Sequence, residues 1–194
     1  MIERLLKKPL VSGLIFAVFP AVQLLWEHTH GGIVRHYLLQ REDLPSFSNA
    51  WGLLTLPLLA FAATWFVKRR MGRAGARKLG TSEGEAHQPE HASSRTRMEK
   101  FVAIGFLSGL VLGGLMASFW AMGLSDYMPF LMLVPLVLAF FVSTYRPECL
   151  LGFVLGMSWT FGGVLPVGIG LLLALGSWII YKGIRAGILR LVGR

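Results

Sequence analysis

One cysteine, Cys149, stands among the 194 residues, so an internal disulfide is impossible, and a CxxC metal or redox site is absent. Charge is scarce too. Only 15% of the residues are Asp, Glu, Lys or Arg, where a soluble domain carries about a quarter. The long apolar runs hold essentially no ionisable side chain, their most polar members being Gln23 and a few Ser and Thr. A carrier that passes protons or ions through charged groups at mid-membrane depth is thereby disfavoured. No HExxH or comparable zinc signature occurs. The ten-residue alternating segments of a membrane β-barrel are missing, and so are the histidine boxes of a membrane di-iron oxygenase and a second in-span histidine for bis-histidine haem.

Apolar surface is what the chain has, 54% hydrophobic residues gathered in uninterrupted runs. That much apolar surface needs lipid, and the run lengths suit helices. The net charge of +9 does not point to nucleic acid, because the basic residues sit directly beside the apolar runs, where cytoplasmic anchoring and anionic headgroups account for them.

In chain order, a basic lead (1–8) precedes a first span at 10–26, read as a retained helix because an A-x-A cleavage site is missing at its end. A second span covers 50–67, with Ser48 or Asn49 suited to cap it. The basic run 68–78 stops transfer, and residues 79–97 have the composition of a flexible cytoplasmic linker. A third span at 101–124 carries Gly105, Gly109 and Gly113 on one face, the pattern of close helix packing. Residues 125–127 form a tight turn into a fourth span at 128–144. The last apolar stretch, 149–181, is too long for one crossing, and Gly162, Gly163 and Pro166 divide it into helices near 149–162 and 166–181. Gly152 and Gly156 give the first of these another small-residue face. The tail, 182–194, has the pattern of a basic amphipathic helix on an anionic leaflet. The expected fold class is therefore all-α, a single polytopic bundle (1–194) of about six transmembrane helices, with Pro20, Pro57 and Pro135 as kink sites. Nearly all basic residues fall on the side of the termini, which the positive-inside rule makes cytoplasmic, and a bacterial inner membrane is the expected location.

This topology turns the one polar stretch, 27–51, outward. His28 and His30 follow the first span, Gly31 and Gly32 permit a reversal, and an amphipathic segment at 33–39 would return His36 toward them. Three histidines with a carboxylate from Glu27, Asp43 or Asp126 would satisfy zinc, and leaving one of the positions to water would make the centre hydrolytic toward a lipid or lipid-linked substrate. Asp43, Ser46 and Asp126 are the other candidate catalytic groups, with turn and cap chemistry as their ordinary use. Trp26, Trp51, Trp120 and Trp159 suit an interfacial belt. His87 and His91 lie in the linker. Two further readings stand beside the hydrolase: a non-enzymatic scaffold or accessory subunit whose glycine faces meet a membrane partner or another copy, and a facilitator for an uncharged solute.

Overall fold

A computed structural model describes residues 9–37, 43, 45–79, 88–141, 143–184 and 187. Six helices run in chain order through the described residues: α1 (Pro9–Thr29), α2 (Gly52–Leu79), α3 (Gln88–Ala121), α4 (Met128–Leu138), α5 (Pro147–Phe161) and α6 (Val164–Trp178). Four helical segments are long and apolar enough to cross a membrane: Pro9–Thr29, Asn49–Arg73, Thr96–Ala121 and Val164–Ile184. The other two apolar helices are shorter than a crossing of about 30 Å requires. At about 1.5 Å per residue, the 15 residues of α5 cover about 22 Å and the 11 residues of α4 about 16 Å.

The sequence breaks fall where glycine and proline put them. Gly123 and Gly162 take positive φ, 75° and 71°, ending α3 and α5 in a conformation that side chains with a Cβ resist. The stretch from 128 to 144 ends its helix early, at Leu138. Thr144 turns back to donate its hydroxyl to the Pro135 carbonyl at 3.0 Å, so the segment after α4 returns alongside it. Residues 88–97, expected as linker, form the first turns of α3. Residues 80–87 and most of the tail lie outside the described residues, as does His87.

The core lies between α3 and α5, where the two glycine faces meet each other. A Cβ on Gly109 would come within 2.1 Å of the Cys149 carbonyl oxygen, and one on Gly152 within 2.0 Å of the Phe106 carbonyl oxygen. Gly113 and Gly156 are equally close to the opposite backbone. The close packing expected of these faces is thus made within the chain, and they are not open to a partner or another copy. Leu56, Met116, Phe153, Val154 and Met157 fill the space beside this contact. α1 packs on α2, where Ser12 and Thr64 share a 2.8 Å hydrogen bond.

At the other end of α5, Glu148 is buried, 3% exposed, and accepts a hydrogen bond from Arg70 on α2 at 2.8 Å. Exposed Trp65 and Trp178 stand toward the same end as Trp26, Trp51 and Trp159 stand toward the opposite one, all about half exposed. Arg69 covers the Trp65 ring at 5.2 Å. Two aromatic girdles suit a bundle lying between two water interfaces.

Candidate functional site

The stretch after α1, expected as an amphipathic segment, pairs as two short β-strands. β1 (Arg35–Tyr37) pairs antiparallel with β2 (Ser46–Ser48), in the register Arg35↔Ser48, His36↔Phe47, Tyr37↔Ser46. The alternation R-H-Y against S-F-S, with its period of two, suits a strand. Gly31 and Gly32, with φ of 122° and 105°, turn the chain from α1 into the hairpin. Ser48 accepts from the Ala50 amide at 3.2 Å and caps the 3-10 turn Asn49–Trp51 that leads into α2. With Ser48 as the cap, the Asn49 side chain is free for another partner.

That partner is Glu27, in the last turn of α1. Its Oε1 accepts from Asn49 Nδ2 and from Gln23 Nε2 (3.2 Å), and its Oε2 accepts from the Val34 amide at 3.1 Å. Gln23 also donates to the carbonyls of Ser158 and Trp159 at the end of α5, at 3.3 and 3.2 Å. These carbonyls belong to a last helical turn and have no partner further along α5. Gln23 and Asn49 are each 5% exposed. Polar side chains from α1, the hairpin and the start of α2 therefore meet on the corner between α5 and α6.

His36 completes the group. Its ring lies against Gly162, where a Cβ would be 3.4 Å from His36 Cδ2 and 2.2 Å from Asn49 Oδ1. Gly163 is as confined, its Cβ position 2.7 Å from Gly52 Cα. The Gly162-Gly163 pair thus breaks the helix and also lets Asn49 and Gly52 approach the corner. His36 Nε2 and Asn49 Oδ1 are buried and make no hydrogen bond of good geometry, although the Asn49 side chain lies close enough to favour the protonated ring. Burial pulls the His36 pKa below the ordinary histidine value, while the Glu27 charge and the Asn49 amide pull the other way.

The expected zinc set does not assemble. Among the described residues no three His, Cys, Asp or Glu side chains gather in a way that could hold an ion. His28 and His30 are two positions apart at the end of α1, about 200° around a helix. His30 stacks on Trp26 with centroids 3.8 Å apart. Its Nδ1 donates to the Trp26 carbonyl at 2.9 Å, which commits that nitrogen. His28 stays exposed. Of the four expected ligands, only Glu27 and His36 share a neighbourhood.

The candidate catalytic residues are likewise dispersed. Directly paired residues share a face of the hairpin, so Ser46 and Ser48 stand on the face opposite His36 and Phe47. A triad of serine, His36 and Asp43 is therefore not formed. Asp43 is exposed at the turn. Asp126 is exposed in the 3-10 turn Ser125–Tyr127, and no side chain caps α4. Gln23 was the residue that sequence reasoning passed over as a site member, and Asn49 was read first as a helix cap. A lone Gln in an apolar run was the available signal, because burying an amide is costly unless something bonds it. Glu148 was also hidden, since in the sequence it reads as part of a turn.

Compared with models of protein families, with curated proteins and with solved structures, the chain matches none. The site must be read from its own chemistry, which is one carboxylate, two amides and one imidazole. Such a set can hold a polar group by hydrogen bonds and exchange a proton through His36.

Proposed function

We propose that this chain is a multi-pass protein of a bacterial inner membrane, with both termini cytoplasmic, whose outward end binds a small polar group such as a phospholipid headgroup. The site consists of Gln23, Glu27, His36 and Asn49. One observation carries the reading. Four polar side chains from three segments, α1, β1 and the turn into α2, are brought to the same corner, and two of their buried atoms, His36 Nε2 and Asn49 Oδ1, make no hydrogen bond of good geometry. An unbonded buried polar atom costs about 1–3 kcal/mol, and a bound polar group that reached these two would recover it. Metal-dependent hydrolysis lacks support from the geometry, because the histidines are apart. The scaffold reading loses its main argument, because the glycine faces are used between α3 and α5.

Two measurements test the proposal. In a Cys149→Ser background, single cysteines replacing Thr29 and Gly183 are offered a membrane-impermeant maleimide on intact cells; labelling is expected at position 29 and not at 183. The reverse pattern overturns the topology. For the site, mass spectrometry compares phospholipid retained by the purified wild type and by Asn49→Leu. Loss of a retained species in the variant is expected, and identical lipid profiles overturn the binding reading.

A further inference from the structure

The bundle is not filled beside the break between α4 and α5. A cavity of about 30 Å³, measured by where the centre of a water molecule fits, lies between α3, α4, α5 and α6. Leu150 and Phe153 wall it, and Pro135, Thr144, Cys149 and Ser177 border it with polar atoms. No Asp, Glu, Lys, Arg or His lines it. The cavity is far from the Gln23–Glu27 site. From Val164 at the outward corner, α6 runs 15 residues to Trp178, about 22 Å, and Ser177 stands at that far end.

The Pro135 carbonyl accepts from the Ala139 amide at 3.0 Å, from Thr144 Oγ1 at 3.0 Å and from Ser177 Oγ at 3.4 Å. Each hydroxyl spends its one hydrogen there and keeps lone pairs on its oxygen. Cys149, with Sγ 3.7 Å from Ser108 Oγ, brings a weak S–H group. The backbone adds donors. Residues 143–146 are not helical, and their amides make no backbone hydrogen bond among the described residues. Irregular backbone at membrane depth is tolerated only where it is buried in protein or lines water.

We propose that this cavity is a hydration site inside the membrane-spanning bundle, a second polar site that takes neutral, water-sized molecules and binds them through Thr144 and Ser177. Size and chemistry together choose the ligand. By the same measure one water needs about 10–15 Å³ and two to four polar partners, so the cavity holds about two and has no room for a headgroup or an acyl chain. An ion would meet no opposite charge there. An apolar guest would leave both hydroxyl oxygens without a donor. Water has two hydrogens for those oxygens and lone pairs for the thiol or for an amide of residues 143–146. The site does not depend on the binding reading above.

Cys149 is the one cysteine of the chain, so the infrared S–H stretching band belongs to a single atom beside the cavity. The full chain in phospholipid nanodiscs is moved from H2O to D2O, and conversion of that band to S–D is timed against the slowest amides. In the wild type the S–H band is expected to be lost well before those amides exchange. Thr144→Val keeps the side-chain shape and removes the hydroxyl, and conversion is expected to slow about tenfold, the factor carried by one hydrogen bond to the bound water. Ser177→Ala serves if the valine does not fold, and Thr144→Ser is expected to match the wild type. An S–H band that persists as long as the core amides means a dry cavity. Conversion equally fast in every variant means that water reaches Cys149 by another side. Either result overturns the hydration site.

Discussion

Gly152→Ala adds one methyl group where α5 crosses α3. The new Cβ would lie 2.0 Å from the Phe106 carbonyl oxygen and 2.8 Å from the Leu110 nitrogen. Ordinary contact begins at 3.4 Å, so the helices would have to part by the difference, 3.4 − 2.0 = 1.4 Å. Both obstacles are backbone, and no rotamer change relieves them. A gap of about 0.5–1 Å already forfeits a quarter to a half of each dispersion contact, and Gly109, Gly113 and Gly156 share the same seam. Overpacking of this kind costs about 1–3 kcal/mol and occasionally more. Because the clash is between backbones, the expected loss is about 3 kcal/mol. Gly114→Ala is the control, because its Cβ would meet nothing within 4 Å and alanine favours the helix by about 0.5–1 kcal/mol. Thermal and denaturant unfolding in detergent, followed by tryptophan fluorescence, gives both values. If Gly152→Ala and Gly114→Ala agree within about 0.5 kcal/mol, the spread usual for neutral surface changes, the close α3–α5 seam is refuted.

Arg70→Met leaves the buried Glu148 carboxylate without its partner. Breaking a fully buried pair costs about 3–5 kcal/mol, and because Arg70 is 31% exposed about 2–3 kcal/mol is expected here. Arg70→Met/Glu148→Leu should recover most of that loss, and unfolding midpoints of the single and double variants decide it. His36 links stability to pH. Its folded-state pKa lies below its unfolded value, so the stability it contributes is present above about pH 6.5 and is lost as pH falls through the folded value. A wild-type melting temperature that drops below pH 6.5 more steeply than that of His36→Phe is the expected result, and parallel curves count against it.

The helices were legible because each follows from a local rule. An apolar run of sufficient length, a cap at Ser48 and a Gly-Gly break at 162 and 163 each announce an element without reference to the rest of the chain. The glycine faces were legible as packing surfaces, but their partners were not, because a stripe of small residues does not say which helix it meets. The histidines misled for a related reason. Closeness in sequence suggested a cluster, whereas the end of α1 turns His28 and His30 apart and Trp26 claims the His30 ring. His36 alone reaches the corner, through a strand pairing with Phe47, eleven positions further on. Gln23, Asn49 and Glu148 needed tertiary structure to be recognised, since each is an isolated polar residue whose partner is 22 or more positions away.

The distribution of these interactions has a consequence for how the protein works. α5 is held along its middle by backbone-to-backbone contact with α3, which tolerates no separation, and at its start by the Arg70–Glu148 pair. Its far end offers only carbonyls, Gly162 and Gly163 to the polar group on α1 and the hairpin. A binding site placed anywhere along the glycine seam would require the core to part before a ligand entered. Placed at the Gly162 corner, it lies outside that seam, against polar side chains brought there from α1, β1 and the start of α2.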